Sequence, residues 1–267
     1  MQLLDALVAT IRPYQSALVG YSGGVDSTLV AVAARQALGR DSVLAVIGRS
    51  ASYPEDQRAA ADAIAGRFDI PLVEIATHEL DNPAYLANPT NRCFYCKNEL
   101  WTRLGALAVE RGFRVICDGT NADDLHEHRP GLAAGKQAGV RSPLAEAGFT
   151  KADVRAAAQT LGLPNWDAPA APCLSSRVQY GISITPRRLQ QIEDAEAFLR
   201  ELGVRGNLRV RHRGTTASVE VDPEWIGWVE ARREAVTSRL QALGFATVEI
   251  DPRGYRRGSL ILDRRTV

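Results

Sequence analysis

The stretch Gly20-Tyr21-Ser22-Gly23-Gly24-Val25-Asp26-Ser27-Thr28 decides how this chain is read. It follows the apolar run Ala17-Leu18-Val19 and precedes Leu29-Val30-Ala31-Val32-Ala33-Ala34, the order strand, glycine turn, helix. Paired glycines let backbone N–H groups turn toward an anion, and Ser22, Ser27 and Thr28 add hydroxyl donors. The helix that follows aims its positive N-terminal end at the same point. Ser22, Gly23, Gly24, Val25, Asp26 and Ser27 are therefore predicted to cradle phosphate. This is not a Walker loop. The GxxxxGK[ST] lysine is missing, and Asp26 stands where a bare phosphate pocket would reject a carboxylate. A carboxylate beside phosphates predicts a Mg²⁺ ligand, because the metal inverts the local charge logic. Without a ligand the run would be only a turn joining a strand to a helix.

Outward from this turn, residues 1–166 alternate apolar strands with helical patterns, which predicts a parallel sheet covered on both faces. Strands are expected at 17–19, 43–47, 72–75 and 115–117, and helices at 3–12, 26–38, 54–68, 97–112 and 150–161. Ligands of such sheets sit outside the carboxyl ends of the strands. That brings the glycine turn together with Gly48-Arg49-Ser50 and with Asp118-Gly119-Thr120-Asn121. Gly48, Arg49, Gly119 and Asn121 join the nucleotide-binding candidates, Asn121 because its amide offers both donors and an acceptor. Asp123 is a second candidate Mg²⁺ ligand. Asp118–Asp124 also reads as a helix N-cap with an acidic first turn, and both roles are compatible.

The proline-rich stretch 164–172 cannot be helical, and residues 167–180 are expected to be a linker or active-site loop. Residues 181–267 predict a smaller α+β domain. Thr185 and Pro186 open a helix there, and strands 208–213 and 216–221 flank Gly214-Thr215 as a hairpin. A helix from Asp222-Pro223 to Gly244 and a strand at 247–250 follow.

The chain has 267 residues, and 32 Lys and Arg against 31 Asp and Glu leave a net charge of +1. Nothing here demands a nucleic-acid or membrane partner. Sixteen Arg face twelve acids from Arg177 onward, while sixteen bases face nineteen acids before it, so the C-terminal part is mildly basic. No run approaches the ~18 apolar residues of a membrane span. The N-terminus has no basic segment ahead of its apolar residues, so a cytoplasmic location is expected.

Cys93 and Cys96 form a CxxC in Arg92-Cys93-Phe94-Tyr95-Cys96-Lys97, and Cys173 lies in Pro172-Cys173-Leu174-Ser175-Ser176-Arg177. Cys117 ends an apolar strand and is expected to pack as a small hydrophobe. Structural zinc would want four ligands. Three thiolates suit a [4Fe–4S] cluster with one iron open to another ligand. Alternatively, Cys173 is a reactive thiol favoured as thiolate by Arg177.

The loop Ser22–Ser27 resembles the SGGxDS loop of the PP-loop ATP pyrophosphatases. That resemblance implies a Rossmann-like α/β sheet of the PP-loop/HUP type and adenylation with release of pyrophosphate. Together with Arg92–Lys97, Asp118–Asp124, Arg129-Pro130-Gly131, Pro172–Arg177 and Gly254–Leu260, it is similar to the LarE family of ATP-dependent sulfur transferases. The resemblance implies adenylation of a carboxylate on a pyridinium mononucleotide, followed by sulfur insertion to a thiocarboxylate for a nickel-pincer nucleotide. It further implies ATP and Mg²⁺, a sulfur donor and a homo-oligomer. Some members keep only the cysteine matching Cys173 and sacrifice its sulfur. Others keep three cysteines and are thought to carry the cluster, the pattern that Cys93, Cys96 and Cys173 match. His126-Glu127-His128 departs from the family's expected acidic and aromatic character.

Arg209, Arg211 and Arg213 alternate along one strand, so their side chains share a face at about 6.6–7 Å spacing. They are candidates for a substrate phosphate, with Glu220 orienting one of them; the alternative is a solvated sheet face. Ser176 and Arg177 are candidates for the reacting group beside Cys173. Trp101 is expected in the core, and Tyr180 is a candidate to stack on a pyridine ring. A tRNA thiolase would need a larger basic surface. An amide-forming synthetase would not need three cysteines, and an ATP-binding sensor would release no pyrophosphate.

Overall fold

The computed structural model describes residues 2–126, 130–170, 172–256 and 258–262. Glu127, His128 and Arg129, and Arg257 of the C-terminal motif, lie outside the described residues. The strands are β1 (Ala17–Gly20), β2 (Val43–Arg49), β3 (Leu72–Ala76), β4 (Val115–Cys117), β5 (Leu208–Arg213), β6 (Thr216–Val221) and β7 (Thr247–Ile250). The helices run as α1 (Gln2–Ile11), α2 (Val25–Leu38), α3 (Glu55–Arg67), α4 (Pro83–Leu86), α5 (Arg92–Arg111) and α6 (Pro130–Gln137). They continue as α7 (Pro143–Glu146), α8 (Lys151–Thr160), α9 (Pro186–Glu201), α10 (Pro223–Glu230), α11 (Arg233–Ala242) and α12 (Ser259–Leu262). Two compact units result: Met1–Asn82 with Asn91–Ala171, and Pro83–Thr90 with Pro172–Val267.

In the first unit the strand order is β3-β2-β1-β4, all parallel. Alternation along β1 and β2 splits the core in two. Ala17, Val19, Ala45 and Ile47 pack with Leu7, Ile11 and the buried α2, whereas Leu18, Leu44 and Val46 pack with Trp101, Leu104 and Ala134. Residues 29–34 of α2 are all buried, which explains why the helix is apolar on every side. The chain leaves β1 toward β2 and β3, then returns to place β4 on its other flank. The carboxyl ends of β1 and β4 therefore meet at a topological switch point, where an open α/β sheet forms its crevice. This is the Rossmann-like α/β sheet expected from the sequence.

Helix α5 starts at Arg92 rather than at 97. The CxxC thus lies in its first turn, because burial of Trp101, Leu104 and Ala108 on one face supports a long amphipathic helix that runs through Gly105 and stops at Gly112.

In the second unit β5 and β6 form the expected antiparallel hairpin and β7 joins β6 in parallel. Leu208, Val210, Val219, Val221 and Ile250 face Ala195 and Leu199 of α9, with Val229, Val236 and Leu240 closing the core. Thr185 caps α9 by accepting the Arg188 N–H. The single helix expected over 222–244 is two helices. The backbone at Arg232 leaves the α region (φ −117°, ψ 17°), and its guanidinium lies 3.7 Å from the centroid of the Trp228 ring. No glycine or proline marks that break; packing makes it.

Candidate active site

The glycine turn closes between β1 and α2 with Gly23 at φ +72°, a left-handed conformation that favours glycine. A Cβ there would also sit 2.7 Å from the Ala61 Cβ. The loop carbonyls are held from outside. Tyr53 Oη and Gln57 Nε2 donate to Ser22 O at 3.1 and 2.6 Å. Asn165 Nδ2 donates to Gly23 O at 2.8 Å, and Ser27 Oγ donates to Gly24 O at 3.1 Å. Anchored carbonyls and the first-turn N–H groups of α2, which lack intrahelical acceptors, give the loop the polarity of an anion cradle. Thr28 departs from the expectation of a ligand donor. It is fully buried, and its Oγ1 accepts from Asn165 Nδ2 at 3.2 Å.

Asn121 is the hub of the second loop and is 2 % exposed. Its Nδ2 donates to Asp26 Oδ1 at 3.1 Å, and its Oδ1 accepts the N–H groups of Asp123 and Asp124 at 3.0 and 3.2 Å. Gly119 is a steric requirement: a Cβ there would lie 2.7 Å from the Ser27 nitrogen. Asp123 accepts the Lys151 N–H through Oδ2 at 2.8 Å. Lys151 Nζ pairs with Asp26 Oδ2. Neither Lys151 nor Asn165 was legible as a site residue, because each meets the loop only through folding.

Gly48 and Arg49 end β2. A Cβ on Gly48 would lie 2.6 Å from Leu100 Cδ1, so this glycine admits α5. Arg49 pairs with Glu74 at 3.3 Å across the β2–β3 ladder. Beyond it, Ser50 and Ser52 donate to the buried Glu79 Oε1 at 2.5 and 3.0 Å.

In the second unit, half-buried Cys173 opens the turn Leu174–Arg177. Arg177, 3 % exposed, is bidentate to Glu196 at 3.0 Å on both arms. Its Nη1 donates to Cys173 O at 3.0 Å and also to Pro172 O. Arg211 donates to Ser176 O at 3.1 Å and to Glu220 Oε2 at 2.9 Å, while Ser259 Oγ takes Glu220 Oε1 at 2.8 Å. Glu220 does orient an arginine, but diagonally: the residue opposite it in register is Arg209. Arg209 lies 5.5 Å from the Tyr255 ring centroid, and burial pulls its guanidinium down to about 10. Arg209 and Arg211 are each 6 % exposed, which overturns the solvated-face alternative for them.

The segment 83–90 also braces this turn. Tyr85 Oη and Ser175 Oγ lie 2.7 Å apart, and Asn88 Nδ2 donates to the carbonyls of Val178, Gln179 and Ile182 at 3.3, 2.9 and 3.0 Å.

A family model described as NAD synthase matches residues 2–88, which contain the phosphate loop. An uncharacterised protein of Synechocystis sp. is 44 % identical over 97 % of this chain and 98 % of its own length. Pyridinium-3,5-bisthiocarboxylic acid mononucleotide synthase of Lactiplantibacillus plantarum is 36 % identical over 95 % of this chain and 92 % of its own. The chain belongs to the LarE family. A glutamine-hydrolysing GMP synthase of Enterococcus faecalis is a more distant relative, 27 % identical over 74 % of this chain and 42 % of its own length. As a LarE-family PP-loop protein, the chain is an ATP-dependent sulfur-transferring enzyme.

Mg²⁺ accompanies ATP in this family. Among the described residues no group of three or more His, Cys, Asp or Glu is arranged to hold a metal ion. Mg²⁺ commonly takes one or two carboxylates plus substrate phosphates, and Asp26 at the loop fits that demand. Asp123 is partly committed to the Lys151 N–H. For an iron–sulfur group, Cys93 and Cys96 stand three residues apart in the first turn of α5, so their side chains share one face. Cys93 is exposed, and Cys96 and Cys173 are half-buried. Cys117 is buried and its thiol is pushed well up by burial, as suits a packing residue. Trp101 is 3 % exposed and belongs to the core, as expected. No described helix is long and apolar enough to cross a membrane.

Proposed function

We propose that this LarE-family enzyme adenylates a carboxylate of a pyridinium mononucleotide and replaces the AMP with sulfur. The carrying observation is the 36 % identity, over 95 % of the chain, to a synthase named for a pyridinium bisthiocarboxylic acid mononucleotide. A substrate carboxylate oxygen attacks the α-phosphorus of ATP, and pyrophosphate departs. Ser22, Gly23, Gly24, Val25 and Ser27 neutralise the leaving charge, with Gly48, Arg49, Gly119 and Asn121 at the nucleotide and Mg²⁺ on Asp26, with Asp123 a second candidate. Sulfur then attacks the acyl carbon, the carbon–oxygen bond to AMP breaks, and a thiocarboxylate forms. Arg209 and Arg211, the latter held by Glu220, bind the substrate phosphate, and Ser176 and Arg177 attend the reacting group at Cys173. The product serves nickel-pincer nucleotide synthesis.

Cys93, Cys96 and Cys173 would hold a [4Fe–4S] cluster, which supplies a site for carrying inorganic sulfur when bound. The donor set supports this over a sacrificial Cys173. A cytoplasmic homo-oligomer fed by a separate sulfur donor completes the proposal. Anaerobic purification with iron and sulfide analysis tests the sulfur route. Iron near four per chain is expected. Metal-free protein that loses one sulfur mass per turnover would establish the sacrificial route instead. Cys173→Ala is expected to stop thiocarboxylate formation while pyrophosphate release continues.

A further inference from the structure

The β-turn Ser50–Tyr53 joins β2 to α3 and is closed by the Tyr53 N–H, which donates to Ser50 O at 3.1 Å. Its hydroxyls converge on Glu79, which is 3 % exposed and stands in the short turn after β3. Ser50 and Ser52 both donate to Glu79 Oε1, and the Ser52 N–H donates to Ser50 Oγ at 3.2 Å. The backbone before Glu79 is fixed twice. The Thr77 N–H donates to Arg49 O at 3.1 Å, and the His78 N–H donates to Glu99 Oε1 at 3.0 Å. Glu79 Oε2 is buried with no hydrogen-bond partner among the described residues. An apolar side chain of similar size would fill the space without leaving a buried acceptor unpaired, so stability alone does not account for an acid here.

We propose that Glu79 is a positioning residue for the phosphate loop, acting through Ser50 and Ser52 on Tyr53. The proposal rests on the ATP-dependent adenylation described above. Tyr53 Oη donates to Ser22 O at 3.1 Å, and burial pushes its phenol well up, so it remains a donor. A planar trans peptide points its N–H opposite to its carbonyl, so anchoring Ser22 O fixes the direction of the Gly23 N–H toward the anion. Gln57, the other donor to Ser22 O, is carried by α3, whose Ala61 and Ala65 are buried. Tyr53 instead belongs to the turn, and the turn takes its position from Glu79.

The full-length protein labelled with 3-fluorotyrosine carries seven reporters, and Tyr53→Phe assigns the Tyr53 signal by its loss. In folded protein without ligand, Glu79→Leu is expected to move the Tyr53 signal and leave that of Tyr14 in place. Glu79→Gln, whose amide oxygen still accepts from both serines, should reverse most of the shift. By calorimetry Glu79→Leu should weaken binding of Mg²⁺ with a non-hydrolysable ATP analogue about 3- to 10-fold, as for one lost hydrogen bond, and change AMP affinity by less than about 2-fold. In a Tyr53→Phe background the same substitution should add less than about 2-fold. Should Glu79→Leu fail to fold, Ser50→Ala with Ser52→Ala cuts the same link from the turn side and is read in the same way. A residue that only packs would lower Tm and leave the Tyr53 signal and the affinity of the folded protein at wild-type values. That result overturns the proposal alone, as does a full further loss of affinity in the Tyr53→Phe background. Wild-type protein that binds no ATP analogue overturns the adenylation reading together with it.

Discussion

Gly119→Ala is the sharpest perturbation of the nucleotide site, because the added methyl group meets the Asp26–Ser27 peptide and the Asp26 Cβ. Its carbon would lie 2.7 Å from Ser27 N, 3.0 Å from Asp26 C and 3.1 Å from Asp26 Cβ. None of these atoms can rotate away, since all belong to the first turn of the buried helix α2. Restoring an ordinary contact near 3.4 Å requires about 0.7 Å of separation between the β4 loop and α2. Asn121, two residues on, then loses its 3.1 Å bond to Asp26. Overpacking of this kind costs about 1–3 kcal/mol, or a few degrees in Tm for a protein of this size. Displacement approaching 1 Å at a reacting centre lowers kcat/KM by up to about 100-fold, so a fall of about 10- to 100-fold in pyrophosphate release is expected. A coupled pyrophosphate assay and calorimetric melting measure both. Gly105→Ala is the control: it sits within α5 with nothing within 4 Å of its added carbon. It should raise Tm slightly and leave turnover unchanged. Wild-type turnover and melting in Gly119→Ala would refute the close approach of the two loops.

Asp26→Asn keeps the shape of the site but removes its charge. It should reduce pyrophosphate release at saturating Mg²⁺ by at least about 100-fold, and unchanged release would remove Asp26 as the metal ligand. His212 is 3 % exposed, and burial, reinforced by Arg188, lowers its pKa to about 4 from the ordinary 6.5. The fold favours neutral imidazole, so His212 stabilises fully above pH 6.5 and its contribution is lost as pH falls from there through about 4. Urea unfolding at pH 7 and pH 5 should differ by about 2 kcal/mol more in wild type than in His212→Gln, and equal differences would contradict the burial argument. Asn88→Ala removes the Nδ2 donor from the Val178 and Ile182 carbonyls, leaves Gln179 O with the Ile182 N–H alone, and puts alanine at φ +51°, so a loss of about 2–4 kcal/mol is expected by denaturation. A loss under about 0.5 kcal/mol would show that this side chain does not brace the cysteine turn.

Much of the phosphate site was legible because its determinants are local. Ser22–Ser27 carry their own turn chemistry, and the apolar runs 17–19 and 29–34 identify the strand before and the helix after. The parallel sheet followed from repetition of that pattern, and the hairpin over 208–221 from its two-residue alternation. The break at Arg232 carried no such mark, because it arises from the packing of Trp228 and Arg232. The early start of α5 was hidden for a similar reason: Asn91 stands at its N-cap but its side chain makes no cap hydrogen bond, and the helix is sustained by a buried face far downstream of it.

The sequence by itself determined a phosphate-binding strand–turn–helix, an acid at its edge, and three cysteines available for chemistry. Those are properties of residue type and short spacing. Tertiary structure decided which distant groups serve them. Lys151 and Asn165 reach the loop across more than 120 residues, and Asn88 reaches the cysteine turn across 90. It also made Arg209 and Arg211 buried members of a hydrogen-bonded layer. Periodicity tells which side chains share a sheet face, but only the packing of chain upon that face tells whether it meets water. The motif sets the chemistry, and the fold supplies the counter-charges and hydrogen bonds that hold it in place.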